Sequence, residues 1–328
     1  MLPLIGITMG DPSGIGAEII CKALRDLPPE ERSRTAFVGD PHFMQRANAL
    51  VGAGLKFADA ATPYSDGTVP VFNVDVDRSQ VQDSKVCAAS GDAAYRFVAR
   101  AVDAALKNEI AVIVTAPLNK EALHLGGHHF EGHTELLAHL TGAKSSFMLL
   151  ASEKLSTIHV STHVSLAGAV KRATPERVLA TIRAGDAHFK RMGIKNPRIA
   201  VSGLNPHCGE NGLFGNEEAE QIVPGIKLAQ AEGINVKGPL PGDTVFYRAM
   251  KGEFDLVVAQ YHDQGHIPTK LIAFDSTVNV SLGLPISRTS VDHGTAFDIA
   301  WQGKADYVNM NAAISYARRM AAGLVLNA

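Results

Sequence analysis

The stretch Val258-Ala259-Gln260-Tyr261-His262-Asp263-Gln264-Gly265-His266-Ile267-Pro268-Thr269-Lys270 decides how this chain is read. The apolar run Leu256-Val257-Val258-Ala259 has the pattern of a short buried strand. Two imidazoles, a carboxylate, an amide and an ammonium follow within nine residues, with Gly265 and Pro268 constraining the backbone. The stretch after the strand reads as a loop, and a strand followed by a loop so dense in chemistry is how open α/β enzymes build a site at the carboxyl ends of their strands. Ile158-His159-Val160-Ser161-Thr162-His163 and Ala200-Val201-Ser202-Gly203-Leu204-Asn205-Pro206-His207 have the same form. Parallel strands bring their carboxyl ends together, so His163, His207 and His262 are candidates for one shared metal. Three neutral imidazoles with an open fourth position are a catalytic arrangement. The plain alternative is three solvated loop histidines. Asp243 and Asp263 are candidates for groups behind the ligands, with their roles left open.

Composition narrows the class. The chain has 328 residues, a length that suits about two domains, and it is 46% hydrophobic and 20% charged. A formal charge of −2 supplies no basic field for nucleic acid. Cys21, Cys87 and Cys208 form no Cys-x-x-Cys pair, so neither a thiolate zinc site nor a disulfide framework is expected. Cys208 beside His207 leaves a catalytic thiol as a second reading. Met1-Leu2-Pro3-Leu4-Ile5-Gly6 lacks the basic opening of a secretory signal, and no apolar run approaches the roughly 20 residues of a membrane span. A cytoplasmic protein is expected.

Further strand-like runs are Leu4–Met9, Ala36–Val38, Val71–Val74, Ala111–Thr115, Phe147–Leu150 and Thr277–Ser281. Helical patterns separate most of them, clearest over 90–107 and 175–192. Continuous apolar strands indicate a sheet covered on both faces. No linker tract divides the chain, so a second domain is expected where the chain crosses over and returns. Gly10-Asp11-Pro12-Ser13-Gly14-Ile15-Gly16 reads as an anion-binding nest or as a tight strand-to-helix turn, and it matches neither dinucleotide nor P-loop spacing. Thr134 is a candidate cap, and its hydroxyl with the free helix amides a candidate phosphate contact. Lys270, Arg288 and Asn279 flank the histidine-rich stretch and the last strand. A fork-shaped Arg and a point-charge Lys suit a substrate carrying phosphate and carboxylate.

A metal suits a reaction in which an alcohol loses its proton. Zinc lowers the pKa of bound water from ~15.7 to ~7, or roughly 10 kcal/mol of oxyanion stabilisation, against about 3–5 kcal/mol from a positioned general base.

Gly10–Gly16, Thr115-Ala116-Pro117-Leu118-Asn119-Lys120, Gly132-His133-Thr134-Glu135, Ser161-Thr162-His163, Gly203–Glu210, Tyr261–Gly265 and Arg288–Ala296 together resemble the 4-hydroxythreonine-4-phosphate dehydrogenase family, in order along essentially the whole chain. The resemblance implies an isocitrate/isopropylmalate dehydrogenase-like α/β fold in α/β/α layers, with an interdomain cleft and a homodimer sharing its active site between subunits. The expected division is 1–130 with 275–328 on the cofactor side and 131–274 on the metal, substrate and dimer side. The resemblance implies His163, His207 and His262 as ligands of a divalent metal (zinc, or magnesium, manganese or cobalt), with one ligand drawn from the partner chain. It implies His133 and Thr134 at the substrate phosphate, and Lys270, Asn279 and Arg288 at the substrate, with the three ligands and Lys270 as the catalytic set. Asp292, His293, Gly294, Thr295 and Asp298 resemble the adenosine-side NAD segment.

The implied reaction oxidises a C3 hydroxyl with NAD and decarboxylates the 3-keto acid. His266-Ile267-Pro268, 120–125 and 297–301 look like the branch acting on 4-phospho-D-threonate or 4-phospho-D-erythronate, in carbohydrate catabolism. The alternative is 4-hydroxy-L-threonine 4-phosphate, in pyridoxine biosynthesis. A cis-dihydrodiol dehydrogenase, a non-redox metal-dependent hydrolase or aldolase, and a sugar-phosphate-binding protein are remoter readings.

Overall fold

The computed structural model describes residues 3–60 and 64–326, so Met1 and Leu2 of the opening segment lie outside the described residues. The strands are β1 (Ile5–Thr8), β2 (Thr35–Gly39), β3 (Phe57–Asp59), β4 (Val69–Asn73), β5 (Val112–Thr115), β6 (Phe147–Ala151), β7 (Ser156–His159), β8 (Ile199–Ser202), β9 (Val236–Leu240), β10 (Leu256–Ala259), β11 (Val278–Leu282) and β12 (Ser287–Ser290). The chain forms two compact units, 1–146 with 284–328 and 147–283.

The strands of the first unit run in the order β3-β4-β2-β1-β5-β12, all parallel. Every residue of β1, β2 and β5 is buried, so the continuous apolar runs do mark a sheet covered on both faces. In the second unit the order is β11-β6-β7-β10-β8-β9. Here β7, β10, β8 and β9 are parallel, while β6 is antiparallel to β7 and β11 antiparallel to β6. The register sets Val258 beside both Ile158 and Val201. The chain therefore leaves β7, β8 and β10 at one edge, toward His163, His207 and His262.

The two-segment division has other boundaries than the sequence-based ones. Helix His133–Thr141 belongs to the first unit, because Leu136 and Leu137 bury into the cluster of Val98, Ala101 and Ile113. Residues 275–283 belong to the second unit, because β11 pairs with β6 from Val278↔Ala151 to Leu282↔Phe147. His133 and Thr134 thus fall in the first unit and Asn279 in the second, the reverse of 131–274 and 275–328.

The decisive stretch is helical rather than looped after Tyr261. Helix His262–Ala273 continues through Pro268. Gly265, His266, Thr269 and Ala273 are its buried positions, and their spacing makes one inward face. Among the described residues no helix is long and apolar enough to cross a membrane.

Helix Ala88–Leu106 packs on helix Lys120–Leu125 at Gly91, where a Cβ would collide with the Ala122 carbonyl oxygen. The obstacle is backbone and cannot swing aside. Gly91→Ala is expected to cost about 3 kcal/mol, read as a lowered urea midpoint with unchanged m. A midpoint equal to that of the parent would refute this close approach.

Candidate functional site

The strand-end segments of the second unit are laced together by amide side chains. Gln264 Oε1 accepts from the Gln260 amide at 2.7 Å, and its Nε2 donates to the Gly203 carbonyl at 2.7 Å. Gln260 Nε2 donates to the Ser202 carbonyl at 2.7 Å, and the Ser161 hydroxyl to the Gln260 carbonyl at 2.9 Å. The ends of β7, β8 and β10 are thereby held in fixed relation.

His262 is the first residue of its helix, and its Nδ1 lies 2.7 Å from Asp263 Oδ1. A carboxylate only accepts, so Nδ1 carries the proton and Nε2 is left with its lone pair free to act as an acceptor or a ligand. The His163 ring centre lies 5.9 Å from that of His262. Two imidazoles thus converge from the ends of β7 and β10.

His207 stands apart from this pair. It lines a pocket of about 630 Å³ with Asp243, Tyr261, Asp263 and Gln264. Among the described residues, no three His, Cys, Asp or Glu side chains of one chain are grouped to hold a metal. The backbone at 207–211 is unusual, with positive φ at His207 (50°), Cys208 (55°), Glu210 (42°) and Asn211 (54°). Buried Glu218 supports the approach to it, accepting from the amides of Leu204 (2.8 Å) and Asn205 (2.7 Å). Burial, with Glu218 nearby, pushes the Cys208 thiol up, which disfavours the thiolate that a nucleophile needs.

His159 and His266 extend the imidazole cluster inward. Both are buried, and they approach through His266 Nδ1 and His159 Nε2 at 3.1 Å. Burial, then the neighbouring His266, pulls His159 down to about 3. Lys270 Nζ lies 5.8 Å from the Phe274 ring centre, and Asn279 sits half-buried on β11.

In the first unit, Arg288 on β12 is buried, and its Nε and Nη2 donate to Thr115 Oγ1 at 3.1 and 2.6 Å. Burial lowers its pKa to about 9, against the opposing pull of Glu135. His133 opens helix His133–Thr141 with a buried Nε2 that has no hydrogen-bond partner. Burial first and Arg288 second hold it well below the usual imidazole range. Gly132 occupies the cap position and no side chain caps the helix, so Thr134 lies inside the first turn rather than capping it. The helix amides stay open to an anion.

Gly10–Gly16 is a structural turn rather than an anion nest. The Ser13 amide donates to Asp11 Oδ1 (2.8 Å), the Gly14 amide to the Asp11 carbonyl (3.0 Å) and the Ile15 amide to the Thr295 carbonyl (3.1 Å). Asp11 is buried, which raises its carboxyl to about 6. A carboxyl group amid internally bonded amides disfavours an anion there. The segment Asp292–Asp298 is held from behind: buried Glu18 accepts from the Trp301 and Gly303 amides, and the Asp292 amide donates to Asn309 Oδ1 at 2.7 Å. His293, Gly294 and Asp298 are exposed, Asp292 is half-buried and Thr295 buried.

Sequence reasoning had passed over His159, Glu218 and Gln264 as working residues. Nothing local marks the first two. Gln264 and His266 lie within the quoted stretch, and their contacts follow only once 262–273 is a helix.

His159 and His188, both pulled to about 3 by burial, link stability to pH. Their folded pKa lies below the unfolded value, so stability is full above about 6.5 and falls on acidification, by up to about 1.4 kcal/mol per pH unit for each. Asp11, raised to about 6, acts in the opposite sense as pH falls from 6 toward 4. Unfolding free energy is therefore expected to drop between pH 6.5 and 4.5, with His188→Gln reducing the slope by about one proton. An unchanged slope in that variant would show that His188 is not held neutral.

Comparison with known proteins matches residues 31–317 to the family described as pyridoxal phosphate biosynthetic protein PdxA. The chain is 49% identical over 310 residues to a D-threonate 4-phosphate dehydrogenase of Cupriavidus necator, covering 93% of each chain. It is 45% identical over 324 residues to a 4-hydroxythreonine-4-phosphate dehydrogenase of Geobacter metallireducens, covering 97% of this chain and 96% of the other. A crystal structure of 4-hydroxythreonine-4-phosphate dehydrogenase from Klebsiella pneumoniae superposes with a TM-score of 0.89 at 45% identity, covering 97% of this chain and 99% of that one.

Proposed function

The chain belongs to the pyridoxal phosphate biosynthetic protein PdxA family, and from that premise we propose that it is an NAD- and divalent-metal-dependent dehydrogenase of a 4-phosphorylated four-carbon hydroxy acid. The favoured substrate is 4-phospho-D-threonate, with 4-phospho-D-erythronate beside it. The Cupriavidus relative is named for the former and is somewhat more similar than the Geobacter one named for 4-hydroxythreonine 4-phosphate, which is the second reading. The observation that carries the dehydrogenase is the convergence of His163 and His262, with Asp263 fixing the Nδ1 proton of His262.

In this reading Arg288, the open N-terminus at His133 and Thr134, and the His133 imidazole take the phosphate. A buried fork of donors beside uncapped helix amides suits a dianion. Lys270 and Asn279 orient the carboxylate end. Hydride leaves C3 for the nicotinamide ring and the hydroxyl proton leaves with it. The 3-keto acid then loses CO2, and C2 takes a proton. A bound divalent ion would supply positive charge against the oxygen at C3, with His163, His207 and His262 as its ligands. The donor set fits, since one imidazole has its second nitrogen committed to a carboxylate. The exposed His293 and Gly294, with Asp292, Thr295 and Asp298, are assigned to NAD.

A homodimer is the reading that the surface of helix His262–Ala273, with the Phe274 after it, supports. Ile267, Leu271 and Phe274 are 55%, 82% and 68% exposed and share one face at spacings of four and three. Such an apolar stripe marks an interface. It borders the pocket holding His207, so His207 is proposed as the ligand given to the partner's site.

The test is NADH formation with the three phosphorylated acids in the presence of added zinc, magnesium, manganese or cobalt. Preference for the sugar-acid phosphates supports the favoured substrate, and preference for 4-hydroxythreonine 4-phosphate supports the second. Arg288→Lys is expected to raise KM roughly 10–100-fold, the worth of about 1.5–3 kcal/mol of charged hydrogen bonding, with kcat little changed. An unaltered KM would remove Arg288 from the phosphate site.

His207→Ala and His262→Ala should each be inactive yet folded. Their mixed dimers should recover activity, whereas mixed dimers of His163→Ala and His262→Ala should not. Recovery in neither mixture would place His207 with its own chain's pair, and recovery only with His163→Ala and His262→Ala would split that pair between the subunits.

A further inference from the structure

His266 is assigned no part in the reaction above, yet it is the side chain against which His262 rests. Its ring stacks on His262 with centres 3.6 Å apart and planes 14° from parallel. His262 itself is 40% exposed, and Asp263, its other restraint, is 70% exposed. A solvated carboxylate holds a side chain weakly. The buried His266 is the firm wall.

Hydrogen bonds fix His266 in turn. His159 Nδ1 lies 3.1 Å from the Met148 carbonyl, which only accepts, so Nδ1 carries the proton and Nε2 is a bare acceptor. His266 Nδ1 lies 3.1 Å from that Nε2 and 3.0 Å from the His262 carbonyl. Both are acceptors, so one N–H serves both in a three-centre bond. The chain of contacts runs from the β6 backbone through His159 and His266 to the face of His262. It also accounts for Gly265, where a Cβ would collide with His159 Nε2.

We propose that His266, braced by His159, is a positioning residue that sets the ring plane of His262 and thereby the metal affinity of the site. The inference rests on the metal reading of His163, His207 and His262. Groups behind metal ligands are typically worth 10–100-fold in affinity.

Two partial replacements separate orientation from folding. His266→Phe keeps a flat ring against His262 and loses the hydrogen bond. His266→Asn keeps a donor near the Nδ1 position and loses the stack. Zinc affinity would be measured by chelator competition on the purified protein, with thermal unfolding of the metal-free protein alongside. His266→Ala should weaken zinc binding 10–100-fold. His266→Phe should recover most of the affinity while its Tm stays low, and His266→Asn should recover Tm without affinity. Gly265→Ala should weaken zinc binding as His266→Ala does.

If parent and His266→Ala bind zinc equally, or affinity follows Tm across the variants, His266 is only structural and the inference is overturned. If the parent itself binds no zinc, magnesium, manganese or cobalt, the metal reading fails, and this inference with it.

Discussion

One amide side chain does much to make the second unit a site rather than a set of strand ends. Gln264 accepts from the chain leaving β10 and donates to the chain leaving β8. It can do so only because β7, β10 and β8 are parallel and in register, so that their carboxyl ends emerge at one edge. Without such bridges the segments carrying His163, His207 and His262 would each pay the ordering entropy of a free loop, about 1–2 kcal/mol per residue. The lacing moves that cost into folding, where the buried strands offset it.

The segment at His207 shows how far the backbone is bent to this end. Non-glycine residues in the left-handed region cost roughly 1–2 kcal/mol each, and four of them fall between His207 and Asn211. Glu218 stands opposite, buried and bonded to two backbone amides just before the strained run. Strain of this kind persists only where surroundings over-determine it, and it gathers at functional sites.

Much of this was legible beforehand. Continuous apolar runs such as Val112–Thr115 and Leu256–Ala259 marked strands buried on both faces, because only a two-sided cover tolerates them. The ligand candidates were legible as histidines a few residues beyond such runs. What stayed hidden depends on partners distant in sequence. The glycine turn reads as an anion nest or as a tight turn, and the distant Thr295, with Asp11, decides for the turn by taking its amides. The unit boundaries shifted because the pairing of β11 with β6 has no local signature. Reading 262–270 as a loop concealed the spacing of His262 and His266, which places them on one helical face. Pro268 misled there, since it removes one donor while the helix continues around it.

The first unit poses the complementary problem, a cation kept out of water. Arg288 is buried with its fork on the Thr115 hydroxyl, and burial has drawn its pKa to about 9. His133, nearby in charge terms, is kept neutral by the same burial and by Arg288 itself. A second positive charge there would add repulsion in a low dielectric, where it is least screened. Neutral His133 beside charged Arg288 is therefore the arrangement that burial favours. It leaves His133 Nε2 unpartnered and the helix amides uncapped. Each unmet group costs stability, and in the proposed reading an anion with several acceptor oxygens would meet the amides and, with the proton on Nε2, the imidazole as well. The features that make this corner of the fold costly are the ones on which the proposal of a phosphate site rests.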